Sequence, residues 1–343
     1  MRQIRVFICA VVAVLFLCRP AEAQQKPHYT QYILNQYILN PAISGIENYI
    51  DIKASHRHQW VGIQDAPVTT YLTVHGPIGK KDFRTTATSF SMPGENPRGK
   101  SYWEQYNAPE PHHGIGMQVI NDVTGPLSNF SMYGTYAYHL GLTPKMNLAA
   151  GFGVGFSRFG LDAAKLDFGD IIVDQAVYSS GLINKTKLDV LAGLYLYSSD
   201  FFVGLSAQQI VPQNIDFSEG YVRPNTGRTV PHLFATAGYR FLLTDDLNLI
   251  PSVMVKYIQP LDPQLEGNMK LQFRDIAWLG ASYRHDDGFA GMLGLNVSNV
   301  FNVGYAYDYT TSKLNNYSKG THEFIVGFII GNKYPDKCPT VLW

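Results

Sequence analysis

The sequence predicts an all-β fold: a closed antiparallel transmembrane β-barrel of about 14 strands, with an N-terminal segment folded against it or into its lumen. Three observations carry that prediction: strict two-residue alternation, a Gly- and Tyr-rich composition with few charges, and an export signal without a helical anchor. The alternation is clearest at residues 264–274. There Leu265, Gly267, Met269, Leu271 and Phe273 interleave with Glu266, Asn268, Lys270, Gln272 and Arg274. Successive strand side chains point to opposite faces, so one face is apolar and the other wholly polar. Three charges on one face of so long a strand do not suit a soluble sandwich of this size. They do suit a tilted barrel strand, which needs roughly 9–11 residues to cross the hydrocarbon.

Composition agrees. Of 343 residues, 16% are charged and 13% aromatic, with 31 Gly and 22 Tyr, as in barrels with aromatic girdles. The formal net charge is zero, which gives no footing for nucleic acid as a partner. Residues 1–23 read as a signal peptide. Arg2 and Arg5 form its positive region, 6–17 its apolar core, and Ala21-Glu22-Ala23 the small-x-small site before Gln24. Cys18 follows the apolar run, but Leu17 before it is too bulky for lipoprotein processing. Cleavage leaves Cys338 as a lone thiol, which forms no internal disulfide. No later run approaches the roughly 18 apolar residues of a membrane helix. In a membrane, a closed barrel then remains to satisfy the backbone. The expected location is the cell outer membrane, with its lipid as the first partner.

In chain order, residues 24–47 come first and do not alternate. They hold a tandem repeat, Gln31-Tyr32-Ile33-Leu34-Asn35 followed by Gln36-Tyr37-Ile38-Leu39-Asn40, then the turn signals Asn40-Pro41 and Ser44-Gly45. The expectation is a plug; the sharper alternative is a docking peptide for a periplasmic partner. The barrel is expected over 48–330. Its strands are 49–60, 68–75, 114–122, 129–140, 146–159, 187–197, 201–210, 231–242, 247–259, 264–274, 276–283, 289–297, 301–309 and 321–330. In 146–159, Leu148, Ala150, Phe152, Val154 and Phe156 oppose mostly Gly, which points to close packing inside, such as a plug against the wall. With the chain entering from the periplasm, links after even-numbered strands are periplasmic and short, and links after odd-numbered strands include the longer ones. The exception is 76–113, a Pro-rich, charged insertion expected on the periplasmic side. Residues 331–343 form a tail ending in Trp343, with Pro335 and Pro339 making it a poor strand.

No catalytic pattern stands out. There is no G-x-S-x-G, no H-E-x-x-H and no Cys/His metal spacing, so no catalytic residue, metal or cofactor is expected. His56 and His58 share a strand face and read as solvated or lumenal. His112-His113 reads as a loop pair. Glu266, Lys270 and Arg274 share a face and are expected in a lumenal ion-pair network, with a selectivity filter as the lesser alternative. Gly151, Gly153 and Gly155 lie within a strand with no helix after it, so they form no nucleotide loop.

Several short motifs occur in a specific order. They begin with Tyr32, Asn40-Pro41-Ala42 and Gly45, then Arg57, Gln59-Trp60-Val61-Gly62 and Ala66-Pro67. Next come Asn121-Asp122, Thr124-Gly125-Pro126, the run Tyr136–His139 and the run Gln213–Phe217. The series ends with the run Trp278–Arg284, Gly304-Tyr305-Ala306-Tyr307-Asp308-Tyr309 and Gly320-Thr321-His322-Glu323. Over the mature chain this series resembles the PorP/SprF family. The resemblance implies a non-enzymatic outer-membrane protein of the type IX secretion and gliding machinery of Bacteroidota. Its partners would be periplasmic ring subunits of that apparatus or a secreted adhesin. The motif residues at structural or partner-binding positions would be Asn40, Pro41, Gly45, Arg57, Gln59, Trp60, Tyr305, Tyr307, Asp308, Tyr309, His322 and Glu323. The chain departs from the family in the long 76–113 insertion and the tail past 330. The rival from another class is an outer-membrane channel or transporter for small molecules, hydrophobic ones among the candidates.

Overall fold

The computed structural model describes residues 30–80, 108–162, 165, 182–212, 214–215, 227–274, 276–285, 287–298, 300–311 and 313–331. The expected signal peptide, most of the 76–113 insertion and the tail with Cys338 lie outside them.

The alternating segments form fourteen wall strands. They are β1 Ile50–His58, β2 Val68–Ile78, β3 His112–Thr124, β4 Leu127–Thr143, β5 Met146–Asp162, β6 Leu182–Ser198 and β7 Phe201–Gln208. The second half is β8 His232–Tyr239, β9 Leu247–Ile258, β10 Gln264–Phe273, β11 Ala277–Arg284, β12 Gly288–Asn296, β13 Phe301–Thr310 and β14 Thr321–Ile330. Each is hydrogen-bonded to its sequence neighbours, and β14 returns antiparallel to β1 from Ile50↔Ile330 to His58↔His322. Closure leaves no edge strand, which is what lipid requires of a sheet. No helix among the described residues is long and apolar enough to cross a membrane.

Several strands run longer than their alternation suggested, and β4, β5 and β6 reach 17 residues each. The segment expected at 231–242 is broken at Arg240, beyond which a short strand, Phe241–Thr244, continues against β9. The break has a local cause. The buried Arg240 turns its guanidinium to the carbonyl of Ser199, and its N–H donates to Asp200 O at 2.7 Å. The ends of the 76–113 insertion also belong to the ladder, since β2 runs to Ile78 and β3 begins at His112.

The wall has an apolar outside. Leu205, Met269, Phe289 and Phe324 are 53–56% exposed and belong to a band of outward Leu, Val, Phe and Tyr. A band of this extent is untenable in water. Against acyl tails it is the favourable side, at about 25 cal/mol per Å² kept from water. The inside is mixed, not wholly polar. Glu266, Lys270, Arg57 and Glu323 point inward and are buried, but so are Tyr71, Ile120, Tyr133, Leu191, Phe234, Trp278 and Ile325. The apolar set packs on Tyr32, Ile33, Leu34, Ile38 and Leu39 of the N-terminal segment. The core of this molecule is therefore the contact between plug and inner wall.

The two mouths differ. The turns β4–β5, β6–β7, β10–β11 and β12–β13 are short and share a mouth with the start of β1. The opposite mouth carries the longer links β5–β6, β7–β8 and β13–β14.

Candidate functional site, the plugged lumen

The N-terminal segment crosses the lumen as three short 3-10 turns, Thr30–Ile33, Gln36–Ile38 and Pro41–Ile43. The sequence repeat becomes a structural one. Leu34 N–H donates to Gln31 O (2.9 Å) in the first turn, and Leu39 N–H to Gln36 O (3.0 Å) in the second. Ile33, Leu34, Ile38 and Leu39 face the apolar wall. Each Tyr and each Asn reaches a wall group. Tyr32 Oη accepts from Asn268, and Tyr37 Oη bonds Thr135 Oγ1 at 2.6 Å. Asn35 donates to Thr73 Oγ1 at 2.9 Å, and Asn40 to Leu194 O at 2.9 Å. A polar turn in a water-excluded lumen needs such partners, since each buried group left without one costs about 1–3 kcal/mol.

At the long-link mouth the plug is tied by charge. Thr30 N–H donates to Glu323 Oε2 at 2.9 Å, and Thr30 Oγ1 to Asp308 Oδ2 at 2.6 Å. Arg57 bridges the same groups, donating to Thr30 Oγ1 (2.5 Å), Glu323 Oε2 (2.9 Å) and Asp308 Oδ2 (2.7 Å). Gln31 Nε2 donates to the Glu323 carbonyl at 2.7 Å. Beside this group, Arg284 pairs with Glu266 at 3.1 Å and Asp287 at 2.6 Å. Above it opens a polar vestibule of about 350 Å³, lined among others by Gln59, Trp60, Asp122, Asp287 and Asp308.

At the short-turn mouth the plug is held by close approach. Gly45 has φ +74°, a conformation that favours glycine. A Cβ on Gly114 of β3 would stand 1.8 Å from Ser44 O, so that strand residue has to be glycine as well. The rings of His112 and His139 stack at 4.5 Å and 4°. His139 Nε2 donates to Ser44 O at 2.8 Å, and His112 Nε2 lies 3.1 Å from Gly45 O. Between the two ends, a Cβ on Gly151 would meet Ala42 Cα at 2.5 Å, and one on Gly193 would meet Asn40 Oδ1 at 2.0 Å. The inward glycine of β5 noticed in the sequence thus clears space for the plug. Gly153 and Gly155 instead face wall side chains, Thr135 and Leu191 for one and Tyr133 for the other.

The sequence-selected residues separate by parity. Arg57, Asp308 and Glu323 meet inside the barrel, and Asn40, Pro41 and Gly45 lie on the plug. Gln59 and Trp60 stand at the vestibule, with Trp60 N–H donating to Thr321 Oγ1 at 3.1 Å. Tyr305, Tyr307, Tyr309 and His322 alternate with the inward set and face out. Tyr305 Oη bonds His322 Nδ1 at 2.7 Å there, in a small aromatic cluster with Phe324. Thr30, Glu266 and Arg284 complete the charged group. The signal for Arg284 was its inward parity on β11; Thr30 offered none.

Two expectations are corrected, and a third is narrowed. His112 and His113 are not a loop pair: they open β3 and point to opposite sides, His112 into the plug seat and His113 outward to Tyr136 Oη at 2.6 Å. Arg274 does not join Glu266 and Lys270 in the lumen. The strand ends at Phe273, and Arg274, with φ +47°, turns out to an exposed pair with Asp246 at 3.0 Å. Lys270 instead lies over the Trp278 ring at 5.6 Å. Of the two placements expected for His56 and His58, solvated or lumenal, the lumenal one falls away, since both lie on the outward parity of β1 and are exposed. Among the described residues, no group of three or more His, Cys, Asp or Glu is placed to hold a metal.

The model of one family, described as type IX secretion system membrane protein PorP/SprF, matches residues 21–328. No curated protein matches the chain in sequence. Similar solved structures include the toluene transporter TbuX of Ralstonia pickettii, at 10% identity and TM-score 0.48, covering 87% of this chain and 93% of that one. The toluene transporter TodX of Pseudomonas putida gives 8% and 0.47, covering 90% and 96%. The outer membrane protein Omp33 of Acinetobacter baumannii gives 10% and 0.44, covering 84% and 100%.

Proposed function

This chain belongs to the PorP/SprF family of type IX secretion system membrane proteins, and from that premise we propose a scaffold. It serves as a non-catalytic outer-membrane anchor that links the periplasmic ring of the secretion apparatus, or a secreted adhesin, to the membrane. The observation that carries this reading is the filled lumen. Residues 30–46 cross it from one mouth to the other, their side chains are almost all buried, and their polar groups are largely spent on the wall. A wall packed on a fixed core is suited to bearing load and to presenting its rims, and is poorly suited to passing solutes. The 76–113 insertion is the surface we assign to a periplasmic partner. The PorP/SprF motif positions divide accordingly, the inward ones holding the barrel to its plug and the outward ones meeting lipid or a partner.

The test joins two measurements on the native protein. Purification from outer membranes brings down ring subunits or an adhesin, and planar bilayers containing the pure protein show no steady conductance. Isolation without any partner, together with stable currents from the intact chain, would favour the channel reading and remove the scaffold. A variant lacking residues 24–45 serves as the open-lumen control.

A further inference from the structure

Where β14 meets β1, the outer face of the wall changes character rung by rung. From the short-turn mouth, its outward pairs are Ile50 with Ile330, Ile52 with Phe328 and Ala54 with Val326. Then come His56 with Phe324 and, last, His58 with His322. β13 sets Tyr305 beside Phe324 and Tyr307 beside His322. From Ile50 to His58 the strand rises roughly 27 Å, or about 20 Å along the membrane normal once tilted. The outward apolar band of such a barrel is about 25 Å tall, so the histidine pair stands where hydrocarbon gives way to headgroups.

The groups on this rim are donors. Tyr305 Oη lies 2.7 Å from His322 Nδ1, and Thr70 Oγ1 lies 2.9 Å from His56 Nδ1. With each hydroxyl donating to Nδ1, the imidazole proton sits on Nε2 and is left over for another acceptor. Tyr307 Oη donates to Lys319 O at 3.2 Å, which holds Lys319 next to this rung. Lys319 N–H donates in turn to Val61 O at 2.7 Å, lacing the β13–β14 link to the β1–β2 link. The Lys319 side chain is exposed and has no ion-pair partner among the described residues. The outward positions of β13, β14 and β1 carry no carboxylate: Asp308 and Glu323 of these strands face in, held by Arg57. A rim with an ammonium, spare N–H donors and no acid selects an anion. At this height in a membrane the anion at hand is a lipid phosphate.

We propose that this face binds the phosphate-bearing headgroup of an outer-leaflet glycolipid. Lys319, His322 and His58 hold the phosphate, and Phe324 lies against the first carbons of an acyl chain. Short turns face the periplasm in bacterial barrels, which puts the long-link mouth in the outer leaflet. The inference needs the barrel and that orientation, and it does not rest on the secretion role.

The experiment uses the full-length protein purified from outer membranes into mild detergent, with lipid A as the probe and native mass spectrometry as the readout. The bisphosphorylated form should bind at least about tenfold more tightly than its enzymatically dephosphorylated form, the worth of one hydrogen bond to a charged group. The combined variant His58→Ala, Lys319→Ala, His322→Ala should lose that preference and keep its heat-modifiable barrel band, since all three side chains stand outside the lumen. Lys319→Glu alone, a charge reversal in an exposed link, should lose it too and serves if the combined variant does not fold. Arg274→Ala, which removes an exposed cation at the opposite mouth, should keep the preference. Equal binding of the two lipid forms, or a preference that survives both variants, would overturn the proposal. Displacement by inorganic phosphate at the concentration of lipid A would replace the lipid with a free anion and overturn it as well. Loss of a co-purifying protein from the variants, with lipid A binding intact, would hand the surface to a protein partner instead.

Discussion

At the long-link mouth the plug is tied by charge, with Thr30 and Gln31 sharing Glu323, Asp308 and Arg57. At the short-turn mouth it is held by the nearness of two backbones, Ser44 and Gly45 crossing Gly114. The first kind of attachment depends on which groups are ionised and which donors are present. It can be loosened by a competing ion or side chain while the wall stays as it is. The second depends on volume alone, and nothing short of moving a strand relaxes it. One tether can be exchanged and the other is fixed, so motion of the plug, if a partner induces any, starts at Thr30.

The largest effect is expected from Arg57→Met. It leaves Asp308 and Glu323 buried together without their guanidinium, and removing one partner of a buried pair costs about 3–5 kcal/mol. Denaturant titration in detergent reads the loss. Adding Glu323→Gln to the same protein should recover part of it, because the leftover charge is the cause. An unchanged midpoint in the single variant would show that the charged group is not a tether. Gly114→Ala comes next. A methyl group 1.8 Å from Ser44 O forces plug and strand apart, at roughly 1–3 kcal/mol for overpacking. Protease cleavage within residues 30–46 should rise with it. Gly267→Ala, where nothing lies within 4 Å, is the matched control and leaves cleavage unchanged. Equal effects at both positions would refute the steric account. Least is expected from Arg274→Ala: its pair with Asp246 is solvent-exposed, so the unfolding midpoint should not move measurably.

Much of the fold was legible because barrel strands obey one period. Once Leu265 and Met269 faced lipid, Glu266 and Lys270 had to face inward, and the same parity sends Asp308 in and Tyr307 out. The misses fall where that period stops. Arg274 continues the alternation on paper, but its positive φ ends the strand one residue earlier. Pro109 and Pro111 mask the start of β3, which begins directly after them, and so hid the inward His112. Arg240 has the right spacing for a strand and breaks it through a bond to another turn. The plug was foreshadowed by the paired Gln-Tyr-Ile-Leu-Asn units and by Gly151. Its direction of travel was not, because 3-10 turns carry no periodicity that marks an end. The sequence pattern assigned Thr30 to neither mouth, and it sits at the one far from Ile50.

The seam between β1 and β14 joins the first wall strand to the last. No ring can shut until the final ten residues of the wall have been made, and by then the N-terminal turns are already covalently joined to β1. The order of the chain thus lets the sheet curl round a filling that is present from the start, with no need to thread it through a finished tube. Biogenesis of this protein becomes a problem of wrapping, and the inward glycines mark where the wrap is tightest.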